Sequence, residues 1–155
     1  VVVLIAAFII GIVVIGILAS VVLASLNSAR EKGRDLRRIA DVRQIQVGLE
    51  LYYATNNAYP ASLDTLVPAG ILETLPSDPL GGAYNYYRCT PKTYHIGASL
   101  TDANNPVLAQ DADLPPMCAQ DPINGDDSGK CVATDAGSHC YDISSVDTGA
   151  PPAAQ

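Results

Sequence analysis

Residues 16 to 35 read GILASVVLASLNSAREKGRD. They pass from hydrocarbon to dense charge with no proline and no cluster of turn residues between, so a helix begun in the apolar half has no reason to stop before the charged half. Upstream, residues 1 to 29 carry no charged side chain, and Val1 to Ala19 are aliphatic residues, Ala, Gly and a single Phe. That run exceeds the roughly 20 residues that span a bilayer and reads as a transmembrane helix. A cleaved secretory signal has a shorter apolar core of about 7 to 15 residues, a basic segment ahead of it and a small-residue cleavage site. The stretch reads as none of these.

Downstream of the quoted segment, Leu36, Ile39, Val42, Ile45, Leu49 and Tyr52 or Tyr53 recur every three or four residues with charge and amide between them. That period predicts an amphipathic helix whose apolar face packs on a sheet. The first stop signal is Asn56-Asn57, followed by Tyr59 and Pro60. One helix of about 53 residues, close to 80 Å at 1.5 Å per residue, is therefore expected, and its first half must find apolar surroundings elsewhere.

Charge is unevenly placed within a net value of −7. Residues 30 to 50 hold six basic groups (Arg30, Lys32, Arg34, Arg37, Arg38, Arg43) against four acidic ones, whereas the rest of the chain holds three basic and twelve acidic. An acidic head repels phosphate backbones, which argues against nucleic acid as its partner. All four cysteines lie in that half, and their spacing lacks the paired C-x-x-C of zinc or redox sites. Disulfides outside the cytoplasm are expected, pairing Cys131 with Cys140 and Cys89 with Cys118. The basic cluster after the apolar run would by itself be held inside; a basic leader removed from before Val1 reconciles the two.

Beyond Pro60, SLDTLV (62 to 67) reads as a short helix capped by Ser62. Tyr84 to Leu100, YNYYRCTPKTYHIGASL, reads as an antiparallel hairpin turning at Thr90-Pro91-Lys92. Further on, only Cys131 to Thr134 and His139 to Ser144 look strand-like, and the final TGAPPAAQ reads as a surface tail. The expected domains are an apolar helix (1–29), its amphipathic continuation (30–56), an α+β head with disulfides (57–147) and a flexible tail (148–155).

The apolar run through G-I-L-A-S, then S-L-N-S-A-R, R-R-I-A-D-V-R-Q-I-Q-x-x-L-E-L-Y-Y and N-x-A-Y-P resembles the N-terminal third of bacterial type IV pilins and the related pseudopilins. The resemblance covers about residues 3 to 60 closely and the rest in architecture. It implies an α+β fold, with a long N-terminal helix packed on a small antiparallel sheet. It also implies a filament core in which Ile5, Phe8, Ile12, Ile15, Gly16, Leu18, Val22 and Leu26 meet identical subunits. The helix-to-sheet packing residues are then Leu36, Ile39, Val42, Ile45, Leu49, Tyr52 and Tyr53.

Two features depart from the family pattern. Aligned on Gly16 to Ser20, the family's glutamate falls at Ala7, or at Ile5 counted from the chain start, and the mid-helix proline is missing near Ala24. A filament of this chain is therefore expected to bury an N-terminal amine that is neutral or carbonyl-bonded, or else the mature N-terminus differs from VVVLIAA.

The resemblance implies a structural subunit, not an enzyme, of a type IV pilus-like surface filament. Its partners are identical subunits in a helical homopolymer, the inner membrane before assembly, assembly machinery and a prepilin peptidase; N-terminal methylation, adhesion and an extracellular location go with that reading. The alternatives are a pseudopilin of a type II secretion system and a monomeric membrane-anchored binding module. No cofactor is implied. His95 and His139 have no nucleophile or acid near them in sequence and read as ordinary core or surface residues. The loop DPINGDDSGK offers Asp121, Asn124, Asp126 and Asp127 to calcium but misses the D-x-[DN]-x-[DN]-G spacing. Eight tyrosines show no stacking array along the chain.

Overall fold

The computed structural model describes residues 1–112, 116, 118–125, 131–132, 137 and 139–145, with the side chains of 21–24 set aside. The Asp126, Asp127, Val22 and tail expectations therefore lie outside the described residues. One helix, α1, runs Val2–Asn56. No proline interrupts it, and it ends where Asn57 takes a left-handed φ of 53°. Asparagine tolerates that conformation just past a helix end. Two compact units divide the chain, Val1–Gly33 and Arg34–Gln155. The first is helix alone and is apolar and long enough to cross a membrane.

In the second unit the helix buries one face. Val42, Ile45 and Leu49 are fully buried, each burial contributing about 1.5–3 kcal/mol, and Ile39, Tyr52 and Tyr53 pack partly buried against the same core. Opposite them stands a three-stranded antiparallel sheet in the order β1 (Asn85–Thr90), β2 (Thr93–Leu100), β3 (His139–Ser144). The hairpin pairs Tyr87 with His95, and β3 pairs Asp142 with Gly97 and Tyr141 with Ala98. Strand β2, between two neighbours, is the most buried of the three. A 3₁₀ turn at Leu63–Leu66 is capped by the Ser62 side chain, which accepts from the Asp64 amide, and it sinks Leu63 and Leu66 into the core.

Disulfides join Cys89 to Cys118 and Cys131 to Cys140. The second lies on β2 where Gly97 has no side chain: a Cβ there would stand 2.9 Å from the Cys131 sulfur and 3.2 Å from Ile123. Cys131 and Val132 do not extend the sheet as expected; they form a bend, and Thr134 lies outside the described residues. The bend is held by the Cys131 amide donating to Ser99 Oγ and by the Asn124 amide donating to the Cys131 carbonyl. Side-chain and loop partners thus take the hydrogen bonds that a sheet ladder would have used.

Candidate functional site

The described side chains of the apolar segment face outward. Phe8, Ile15 and Leu18 are more than 60% exposed in the single chain, and Ile5, Ile12, Gly16 and Leu26 are also exposed. So much aliphatic surface is not stable in water; lipid or other apolar segments must cover it.

Along residues 34–56 the two helix faces differ. Leu36, expected to pack on the sheet, is instead 64% exposed. Its neighbours explain the reversal: Asp35 and Arg38 take the inward positions and are themselves fully buried. Periodicity read from apolar residues alone cannot place a buried ion pair, so the apolar stripe falls one residue out of phase with the buried face at this end.

That buried pair ties α1 to two loops. Arg38 Nη1 donates to Asp35 Oδ1 at 2.9 Å, and its Nε and Nη2 donate to the two carboxylate oxygens of Asp78. The other Asp35 oxygen accepts from the amides of Thr101 and Asp102, both at 2.9 Å. All three guanidinium nitrogens of Arg38 and both carboxylate oxygens of Asp35 are therefore engaged, as a buried ion pair requires. Burial alone would raise the Asp78 carboxyl, but hydrogen bonds from Arg38 and the Leu80 amide and the charges of Arg38 and Arg34 bring it below its ordinary value.

Further along α1, Asp41 accepts from Tyr84 Oη at 2.7 Å, and Glu50 accepts from Tyr59 and Tyr94. Burial, then the adjoining carboxylates, push the Tyr84 and Tyr94 phenols up. The fold also brings four tyrosines of distant sequence together. Tyr53 stacks on Tyr59, Tyr59 meets Tyr94 edge-on, each pair 4.6 Å between centroids, and Tyr94 lies 6.1 Å from Tyr86. Sequence spacing hid this array because the rings come from a helix, a loop and two strands.

His95 is more than an ordinary core histidine. Its Nδ1 faces Asp121 and its Nε2 faces Asp142, each at 2.8 Å, with no side chain of the three exposed. Burial pulls the imidazole pKa down, but hydrogen bonds to the two aspartates and their charges outweigh it and hold it above its ordinary value. A protonated ring donates from both nitrogens, whereas a neutral one donates from only one. Asp121, a calcium candidate in the sequence, is thus directed at His95, and its other oxygen accepts from the Ile123 amide. The two carboxylates lie on opposite sides of the ring and do not converge on a common point. No group of three or more potential ligands arranged to hold a metal occurs among the described residues. Nothing in the sequence pointed to this cluster, since its members are 26 and 47 residues apart.

A recess of about 240 Å³ between Asp78–Asn85 and Gly97–Ser99 is lined mainly by glycine, alanine and backbone, and its one carboxylate, Asp78, is held by Arg38. It offers no pairing of nucleophile and base.

No family model and no solved structure matches the chain significantly. Among curated proteins, it is 33% identical over 89 residues to the type II secretion system core protein G of Aeromonas hydrophila, covering 47% of this chain and 62% of that protein. The protein of the same name from Escherichia coli (strain K12) is 32% identical over 89 residues, covering 47% and 61%. That of Vibrio cholerae serotype O1 is 30% identical over 90 residues, covering 48% and 62%. The chain spans less than two thirds of the length of the curated relatives it matches. Over about half of its length the chain is thus similar to type II secretion system core proteins G, which are pseudopilins of the type IV pilin family.

Proposed function

We propose that this chain is a structural subunit of a pilin-like filament, and specifically a pseudopilin of a type II secretion system. It would polymerise through its apolar helix segment on the periplasmic side of the inner membrane. The observation that carries the reading is the combination of a named secretion relative with an uninterrupted apolar helix whose described side chains are exposed in the single chain. The relatives are secretion proteins, which favours this role over the surface pilus and over a monomeric binding module. Identical subunits, the inner membrane and the secretion machinery are the partners it requires, and the helix supplies the means: packed against copies of itself, each buried aliphatic side chain contributes about 1.5–3 kcal/mol.

Deleting the gene in the source bacterium tests the choice. Secreted proteins should be retained in the periplasm while surface filaments in sheared material stay unchanged. Normal secretion with loss of surface filaments would reinstate the pilus.

A further inference from the structure

At 100° per residue, Leu36, Ala40, Val47 and Leu51 fall within about 60° of one another, on the side of α1 away from Val42, Ile45 and Leu49. They run for about 22 Å along the helix. Leu36, Val47 and Leu51 are 64%, 60% and 55% exposed. The outer face of a helix packed on its own sheet ordinarily carries charge and amide groups, so three large aliphatic side chains in line there mark a contact surface. Exposed Arg37 and Arg43 flank the stripe, but Arg43 is already engaged, its guanidinium 5.7 Å over the Tyr141 ring, so Arg37 is the cation the stripe offers. Arg37 reaches its helix neighbour Asp41 only at 3.7 Å, a pair too weak and too exposed to occupy it.

The chemical complement is present on the same chain. Residues Val67, Pro68 and Ala69 are exposed and apolar, with the exposed carboxylates of Asp64 and Glu73 on either side. The segment is already folded to shape. Ala69 donates to the Thr65 carbonyl, Gly70 to that of Val67, and Ile71 and Leu72 both to that of Leu66. Docking it therefore costs little ordering entropy.

We propose that the Leu36–Leu51 stripe of one subunit receives the Val67-Pro68-Ala69 knuckle of a second copy, with Arg37 facing the carboxylates of Asp64 and Glu73. The inference rests on the filament reading and deepens it by naming the surfaces that meet outside the apolar segment. The filament reading requires this contact to run head-to-tail, without the reciprocal pair that would close a two-fold dimer; repeated, it propagates an open helical polymer.

All four native cysteines are in disulfides, so an introduced cysteine supplies the reactive thiol. The full chain carrying both Val47→Cys and Val67→Cys, oxidised in its source cells, should give a ladder of dimers, trimers and longer species on non-reducing gels. Either substitution alone should give no ladder. Adding Arg37→Glu should weaken the ladder roughly fivefold, and adding Asp64→Lys and Glu73→Lys to that chain should restore it. A disulfide-linked dimer from Val47→Cys alone would mean that stripe meets stripe and would overturn the proposal. So would filaments seen by electron microscopy without a ladder, although the filament reading would survive. Failure of the second charge reversal to restore the ladder, with an unchanged unfolding curve, would also overturn it. If the unsubstituted chain forms no filament in those cells, the filament reading fails and the proposal with it.

Discussion

His95 Nε2 lies 2.8 Å from Asp142 Oδ2 with neither side chain exposed, and the opposite ring nitrogen is matched to Asp121 at the same distance. The ring therefore links a central strand, an edge strand and the loop leading from Cys118. Because the folded pKa is raised, the stabilisation is fully present below the unfolded value of about 6.5 and is lost as pH rises through the folded value. Thermal unfolding of the full chain in detergent should show Tm falling between pH 6 and pH 9. His95→Gln should lower Tm at pH 6 and flatten that slope; an unchanged slope would exclude His95 as its source.

Arg38→Leu should be among the most damaging single changes. It removes the partner of a buried carboxylate, Asp35, and releases Asp78, a loss of about 3–5 kcal/mol in urea unfolding. Arg37→Leu, one residue away on an exposed side chain, should change stability by under about 0.5 kcal/mol.

Gly97→Ala should cost about 1–3 kcal/mol through overpacking against the Cys131 sulfur and Ile123. Combining it with Cys131→Ala and Cys140→Ala should make the glycine substitution less costly, because the atom it meets is gone. A double-mutant cycle in denaturant that found the two effects additive would rule out the contact as the cause.

The two helix faces should separate in a pair of substitutions. Ile45→Ala, at a fully buried position, should destabilise the fold by about 2–5 kcal/mol, while Val47→Ala, 60% exposed, should leave its unfolding within about 0.5 kcal/mol. Equal effects from the two would mean that Val47 is covered within the single chain.

Ile15→Asp should abolish filaments while leaving the near-ultraviolet tyrosine signal of the Arg34–Gln155 unit intact. Position 15 lies outside that unit, so the head keeps its fold, while a carboxylate buried among aliphatic neighbours costs several kcal/mol per subunit. Filaments of normal length from this variant would show that the apolar segment is not the polymer core.

The long helix, its stop near Asn57, the Tyr84 to Leu100 hairpin and the strand at His139 to Ser144 are all legible in the order of residues. Each is written in local terms: an unbroken apolar run, a period of 3.6, a turn between β-branched and aromatic residues. The sequence also carried the likeness to pilin-like proteins, which lies mostly in the helix. Only the tertiary structure decided that Leu36 faces outward, because the inward place was taken by an ion pair whose third partner, Asp78, is 40 residues away. It likewise decided the Asp121–His95–Asp142 cluster, the four-tyrosine stack and the bend at Cys131. Those arrangements depend on polar groups finding one another across loops once water is excluded. Burial makes such partners obligatory, but which residues become partners is set by the path of the chain in space, and no spacing along the sequence records it.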